Sequence, residues 1–217
     1  MRSSLRALAI LAPLALLLGG CLAVGQAFNL TSVVAALVAA GGGSIALAAL
    51  DRREWIQNGS KPPFFAGTLR GGFCNPFDVV VRDRVPLAEA FTHVIGKSLA
   101  AKGFEPRTVP LEGDDEEAAR NALVASGAPR SLLILIDRWQ SDTMMNVGMH
   151  YLLTAQVIDA SGDVIAQSSI QGEDGGKDNL KGSVMNPAGY AKKAVPKAFQ
   201  DHIERLLNDE AIVSALS

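Results

Sequence analysis

Several kinds of residue are scarce in this chain of 217 residues, and each scarcity excludes a class of protein. Only two cysteines occur, which is too few for the disulfide framework of a small secreted scaffold. The three histidines, His93, His150 and His202, have no spacing typical of a metal site, and no G-x-S-x-G nucleophile motif occurs. The sequence therefore predicts no enzyme activity, no cofactor and no bound metal.

Neither sign of charge is in excess, since Lys and Arg total 20 against 22 Asp and Glu, for a net charge of -2. A basic surface for nucleic acid is therefore not expected, and we expect no nucleic-acid partner. The distribution of charge is more informative, because no charged residue lies between Arg6 and Asp51. This long uncharged run predicts that the N-terminal part of the chain acts at a membrane.

The first twenty residues have the three parts of a signal peptide. Arg2 and Arg6 are followed by the apolar run 7–18 and then by two glycines. The sequence Leu18-Gly19-Gly20-Cys21 resembles the lipobox of bacterial lipoproteins, in which the cysteine is acylated and the leader is then removed. The resemblance implies that residues 1–20 are a signal peptide and that Cys21 is the lipid-attachment residue. Leu22 in place of an aspartate implies export to the periplasmic face of the outer membrane.

A second apolar stretch, residues 30–50, would be long enough to cross a bilayer if it were helical. Its small residues recur at a spacing that suits helix packing in lipid, whereas Gly41-Gly42-Gly43 disfavours a helix. One interpretation is an inner-membrane helical hairpin of residues 7–28 and 30–50 with a cytoplasmic domain. The preferred interpretation is a lipoprotein in which residues 21–60 form an acylated N-terminus and an apolar tether.

The rest of the chain, residues 61–217, has the pattern of a single α/β domain. Apolar periodicity predicts strands at 77–83, 104–109, 132–136, 149–159 and 163–171, and helices at 87–102, 114–126 and 187–207. The order β-α-β-α-β-β-β-α predicts a compact domain with a mixed sheet packed by helices. Asp114 and Glu117 form a capping-box pattern at the second helix, and Pro196 predicts a kink or a division in the last helix.

This domain resembles the small proteobacterial lipoproteins of the YajG-like kind in four runs of sequence. These are FFAGTLRGGFCNPF at 64–77, LILIDRWQSDTMMNVGMHY at 133–151, IQGEDGGKDNLKGS at 170–183 and AKKAVPKAFQDHIERLLND at 191–209. The resemblance covers most of residues 62–210 and implies an α/β periplasmic domain of unassigned activity, with no catalytic set. In such proteins a polar linker usually joins the cysteine to the domain, and the apolar tether expected here differs from that pattern.

The candidate partner-binding residues follow the buried run 132–136, in the segment predicted to leave the sheet. They are Arg138, Trp139, Asp142, Met144 and Met145. Tryptophan and arginine often anchor interfaces, and methionine adapts to irregular partners. The expected partner is an envelope protein or a cell-wall component, besides the lipid bilayer reached through Cys21. The alternative is that these side chains cover the end of the core.

Three further motifs predict no chemistry. Cys74 has no partner in the chain if Cys21 is acylated, so it is expected either to be buried or to pair between chains. The run EDGGKDN at 173–179 is interpreted as a solvated loop, because its spacing does not fit a calcium site. Gly96-Lys97-Ser98 matches only the end of a phosphate-binding loop, within a predicted helix.

Overall fold

The sheet of this protein is organised by one long strand, Arg130–Thr143 (β6). The computed structural model describes residues 26–70, 75–144, 146–174 and 186–217. The other strands are β1 (Ala27–Phe28), β2 (Gly43–Asp51), β3 (Phe65–Arg70), β4 (Pro76–Val81), β5 (Phe104–Thr108), β7 (Val147–Asp159) and β8 (Val164–Asp174). The helices are α1 (Glu54–Gln57), α2 (Leu87–Ala100), α3 (Glu116–Ala125), α4 (Pro187–Leu207) and α5 (Glu210–Leu216), and Arg82–Arg84 forms a single 3₁₀ turn, named here the arginine turn.

The two edges of β6 are paired differently. One edge pairs with antiparallel β7 along its length, and β7 pairs in turn with β8. The other edge is shared, because β2 pairs in parallel with the first half of β6 and β3 pairs in parallel with its last three residues. β5 extends the sheet beyond β2, and β4 and β1 extend it beyond β3. The sheet therefore divides at a fork, between residues 136 and 141 of β6.

Helices cover the two faces of the sheet unequally. α2, α4 and α5 pack on the first face, over a core that includes Leu132, Ile134 and Ile136. α3 packs on the second face, over Leu133 and Leu135. Side chains alternate between the two faces of a strand. A run of five apolar residues therefore places apolar side chains on both faces of the sheet, where helices cover them. Burying each large apolar side chain contributes roughly 1.5–3 kcal/mol, and this is the main force that holds the layers together.

The predicted fold class, a mixed α/β sheet packed by helices, is confirmed. α2 buries the predicted face, which includes Phe91, Ile95 and Leu99. α4 begins at Pro187, where Asn186 Oδ1 accepts a hydrogen bond from Gly189 N, and it continues as one helix through Pro196. α3 is capped by Asp115 rather than by Asp114, since Asp115 Oδ1 accepts the hydrogen bond from Ala118 N. β1, β2, β3, α1 and α5 were not expected.

From residue 26 onward the structure contradicts both the preferred interpretation of residues 21–60 as an apolar tether and the alternative of a membrane helix over residues 30–50. β2 lies inside the sheet between β5 and β6, and its residues Ala46, Leu47 and Ala48 are fully buried. An uncharged run of alanine and leucine suits a strand buried on both faces as well as it suits lipid. The domain therefore begins well before residue 61, and the described fold starts with β1.

Residues 33–40, between β1 and β2, form an extended strap whose backbone is held by side chains of the helices. Ala35 N donates to Ser98 Oγ at 2.9 Å, Ala36 N to Glu204 Oε1 at 2.8 Å, and Val38 N to Asn208 Oδ1 at 2.7 Å. Burial raises the pKa of Glu204, but the hydrogen bonds from Ala36 and Gln200 and the charge of Lys197 outweigh it, so the pKa lies below its ordinary value. The strap is thus part of the folded domain and binds an ionised carboxylate.

In the described ranges, 26–70, 75–144, 146–174 and 186–217, no helix combines the length and the hydropathy needed to cross a bilayer. The signal peptide and Cys21 lie outside the described residues.

Candidate functional site

A bulge in β6 determines which side chains surround the fork. The register against β7 shifts between Ile136 and Arg138, so Asp137 is an extra residue in the strand. Because of this insertion Ile136 and Trp139 both point to the first face, although they are three residues apart. Arg138 is therefore turned to the second face, where it is exposed.

The fork itself is filled by a buried arginine. Arg53 has no exposed surface and pairs with Asp51 through both carboxylate oxygens, at 2.8 Å from Nε and 2.6 Å from NH2. Its remaining donors bond the backbone carbonyls of Phe65 at 2.7 Å, Pro63 at 3.2 Å and Trp139 at 3.3 Å. Pro63 and Phe65 lie just before and at the start of β3, and Trp139 lies in the part of β6 between its pairing with β2 and its pairing with β3. The guanidinium therefore donates hydrogen bonds to backbone carbonyls at the fork.

Trp139 belongs to the core, so its assignment as a partner-binding residue is corrected. Its side chain is fully buried, and its indole Nε1 donates to His202 Nδ1 at 3.3 Å. It makes edge contacts with Phe91 and Phe199, at 6.3 and 5.4 Å between ring centroids. The ring of His202 in turn lies 3.9 Å from that of Tyr151. For this residue the alternative prediction, a side chain that covers the core, agrees with the structure.

The second face of the sheet has an apolar half and a polar half. α3 covers the apolar half, and among the described residues no other helix contributes side chains to that cluster. Beyond it, the bulge and the strand alternation turn hydrophilic side chains outward from β6, β7 and β8. We name this surface the polar face and define it by Arg138, Gln140, Asp142, His150, Thr154, Gln156, Gln167, Ser169 and Gln171.

Hydrogen bonds between neighbouring strands order the polar face. Thr154 and Ser169 share a bond of 2.8 Å between their hydroxyl oxygens, and Gln156 Nε2 donates to Gln167 Oε1 at 3.1 Å. Such paired side chains are held in place on two adjacent strands. The polar face therefore presents a preorganised array of amide and hydroxyl groups.

One end of the polar face carries a bidentate ion pair. Arg70 binds Asp142 through Nε at 2.9 Å and through NH2 at 2.7 Å. The hydrogen bond from Arg70 lowers the pKa of Asp142 below its ordinary value and outweighs the raising effect of burial, and the charges of Arg70 and His150 add to the lowering. Nearby, His150 Nδ1 lies 3.1 Å from Glu173 Oε1. Asp142 is thus an ionised carboxylate that is already engaged by arginine.

The opposite end of the polar face centres on Glu116, at the start of α3. Its carboxylate accepts hydrogen bonds from Arg52 at 2.6 Å, and from Arg120 and Gln156, each at 3.0 Å. Gln156 is 5% exposed, and its Oε1 is a buried acceptor with no partner among the described residues. A buried acceptor of this kind is costly to leave unbonded.

The structure brings some of the predicted binding residues together and not others. Arg138 and Asp142 both lie on the polar face, and Met144 is 43% exposed at the end of β6. Met145, Cys21 and Cys74 lie outside the described residues, as do residues 175–179 of the predicted solvated loop. The predicted surface connection at 139–143 is instead the second half of β6.

Sequence reasoning missed Arg52 and Arg53. The two arginines come just after the long uncharged run, with only Asp51 between, and this position favoured a membrane-flanking interpretation. Gln156 and Gln167 were missed for a different reason, since each is an ordinary polar residue within a predicted strand. The signal available was the alternation of β7, which places Gln156 on the face opposite Val157.

Open hollows on the described surface border several of the strands and helices. One, of about 410 Å³, lies between the start of α2 and the ends of β2 and β5, and another, of about 310 Å³, lies at the start of β2. Their described lining residues include no histidine or cysteine, so neither brings together a nucleophile and a base of those kinds. No group of three or more potential metal ligands occurs within the described ranges. The polar face is therefore the candidate functional site, and it is suited to binding.

Known proteins resemble this chain in structure but not in sequence family. No protein-family profile matches the sequence, and no curated protein matches it. A Xanthomonas campestris protein of the DUF330 family is 10% identical, with a TM-score of 0.47 over 88% of this chain and 93% of that chain.

Two further solved structures show a weaker likeness. The PelC dodecamer from Paraburkholderia phytofirmans is 14% identical, with a TM-score of 0.42 over 81% of this chain and 91% of that chain. Lipoprotein GNA1162 from Neisseria meningitidis is 12% identical, with a TM-score of 0.28 over 73% of this chain and 99% of that chain.

Proposed function

We propose that this protein is a lipid-anchored envelope protein that binds a partner and catalyses no reaction. Acylated Cys21 would hold it at the periplasmic face of the outer membrane, and the polar face would bind an envelope protein or a cell-wall component. The observation that carries the proposal is the position of Leu18-Gly19-Gly20-Cys21, at the end of the predicted signal peptide and shortly before the first strand of the folded domain.

The position of Cys21 supports an anchor close to the domain. Ala27, the first residue of β1, is six residues after Cys21. Six extended residues reach at most about 20 Å, so an acylated Cys21 would hold β1 near the bilayer surface. The uncharged run is then explained without a second membrane segment, because its last part is β2.

The composition of the polar face supports binding rather than catalysis. On this face Asp142 is held by Arg70, the neighbouring Glu173 contacts His150, and the other groups that define the face are mostly amides and hydroxyls. Amides and hydroxyls donate and accept hydrogen bonds without changing their charge near neutral pH. Such an array, with Gln167, Ser169 and Gln171 exposed on β8, suits a polar partner.

Labelling of cells with a radioactive fatty acid tests the anchor. We expect label on the wild-type chain, none on Cys21→Ser, and full label on the matched control Cys74→Ser, because Cys74 is the other cysteine of the chain. Since a thiol is the acyl acceptor, the serine variant is also expected to keep its leader. Equal label on Cys21→Ser and wild type would refute the lipid anchor.

Site-specific photo-crosslinking tests the binding surface. A benzophenone amino acid at the exposed position of Gln171 is expected to give one adduct of discrete mass in intact envelopes, because the probe lies on the polar face. The same probe at Lys97, which is exposed on α2 at the first face, is the control and should give none. Replacing Arg138 by serine should lower the adduct yield several-fold. An equal yield from both probe positions would contradict a role for the polar face.

A further inference from the structure

The arginine turn has an unusual backbone. Asp83 has φ 59° and Arg84 has φ 56°, so two consecutive residues with side chains adopt the left-handed conformation. This region is disfavoured for residues other than glycine, and asparagine and aspartate tolerate it better than arginine does. Backbone strain of this kind concentrates at functional sites. In this protein it holds an exposed Arg-Asp-Arg sequence between β4 and α2.

The arginine turn lies beside the strand nearest to the proposed anchor. Phe28, the last residue of β1, is in register with Val81, the last residue of β4, and the turn begins at the next residue. Phe28 is the seventh residue after Cys21, so the extended chain from one to the other spans at most about 25 Å. The turn therefore lies at the end of the domain that an acylated Cys21 would hold close to a membrane.

The charges at this end favour an anionic surface. Arg82 and Arg84 form no ion pair with the described carboxylates, whereas nearby Asp78 is paired with Lys61 at 2.5 Å. The guanidinium of Arg84 lies over the ring of Phe64, at 5.7 Å from its centroid. Asp83 is the acidic group within the turn itself and offsets one of its two positive charges. Two exposed guanidiniums thus remain available to bind phosphate oxygens.

We propose that the arginine turn is a second membrane contact, which binds the phosphate groups of anionic phospholipids. The proposal rests on the proposed function, because the acyl anchor brings the turn to the bilayer. A single acyl signal combined with basic residues holds a protein more firmly and also orients it. The rest of the domain would not be attracted to an anionic membrane. Removal of Arg2 and Arg6 with the leader changes the net charge of the chain from -2 to -4.

Vesicle sedimentation of the mature chain, residues 21–217 with Cys21→Ser, tests the contact without any acyl group. The probes are vesicles of phosphatidylcholine alone and of phosphatidylcholine mixed with phosphatidylglycerol. We expect binding to the mixed vesicles alone. The double variant Arg82→Gln/Arg84→Gln should lose about 30-fold in partition coefficient, because each basic residue near an anionic surface contributes a factor of about five.

Arg107→Gln is the matched control, because Arg107 is exposed on β5, at the opposite edge of the sheet from β1. It should bind like the parent chain, and thermal unfolding should show that all variants are folded. An equal loss for Arg107→Gln, or a parent chain that does not prefer the mixed vesicles, would overturn the proposal. Neither result depends on acylation, and a failed fatty-acid labelling of Cys21 would in turn leave the vesicle result unchanged.

Discussion

Replacing Gly67 by alanine is expected to destabilise the domain by about 4 kcal/mol or to prevent its folding. A Cβ atom at Gly67 would lie 2.2 Å from Ser141 Oγ and 2.3 Å from the Ser141 carbonyl oxygen. The backbone atoms of Ser141 cannot move away, because they belong to β6 where it pairs with β3. The φ of +150° at Gly67 adds strain for any residue with a side chain.

Equilibrium unfolding in urea measures this loss, and Gly42→Ala is the matched control. A Cβ at Gly42 would meet no atom within 4 Å, so we expect a change within about 0.5 kcal/mol. If Gly67→Ala unfolded at the same urea concentration as the parent chain, the parallel pairing of β3 with β6 would be incorrect.

Replacing Arg53 by methionine is expected to cost about 4 kcal/mol of unfolding free energy. Methionine has a similar length, but it leaves the carboxylate of Asp51 without its bidentate partner. The carbonyl of Phe65 would also lose this donor, at a position that the parent chain keeps fully buried, whereas the carbonyl of Pro63 would keep its hydrogen bond from Leu87 N. Lysine is not expected to restore stability, because an ammonium group cannot reproduce the planar set of donors.

A double variant separates the ion pair from the backbone contacts. Asp51→Asn/Arg53→Met should cost clearly less than the sum of the two single changes, because no unpaired charge then remains at the fork. Arg107→Met, on an exposed strand edge, is the control and should change stability by less than about 0.5 kcal/mol. Additive losses in the double variant would show that Asp51 and Arg53 do not interact.

The three longest described helices, α2, α3 and α4, and the hairpin of β7 and β8 could be predicted from local sequence. α2 and α4 bury side chains at regular helical spacing, as in Phe91, Ile95 and Leu99, and this signal needs no knowledge of the partner. β7 and β8 are joined by a short turn at Gly162, which has φ +94°. Both kinds of signal lie within a few neighbouring residues, so sequence reasoning located them.

β2 could not be distinguished from a tether or a membrane segment by composition. Its residues Ala46, Leu47 and Ala48 are apolar on both faces, and the same property suits lipid. Only its pairing with β5 and β6, which are more than 50 residues away in the chain, shows that it belongs to the sheet. The strap at residues 33–40 likewise depends on Glu204 and Asn208, from the far end of the sequence.

The candidate site was predicted in part. Arg138 and Asp142 lie on the polar face, whereas Trp139 was misassigned because the bulge at Asp137 is not visible in the residue pattern. An unbroken strand would place Trp139 on the face opposite Ile136. The extra residue reverses that alternation and turns the indole into the core.

The amino-acid sequence alone predicted a signal peptide and an acylation site at Cys21, and it determined the order of most described helices and strands, because each of these signals depends on residues adjacent in the chain. Only the tertiary structure decided that the uncharged run supplies a central strand, that Arg53 fills a fork in the sheet, and that Arg138 and Asp142 share one face. These features depend on which distant segments pair with β6, and pairing partners leave no local mark on the sequence.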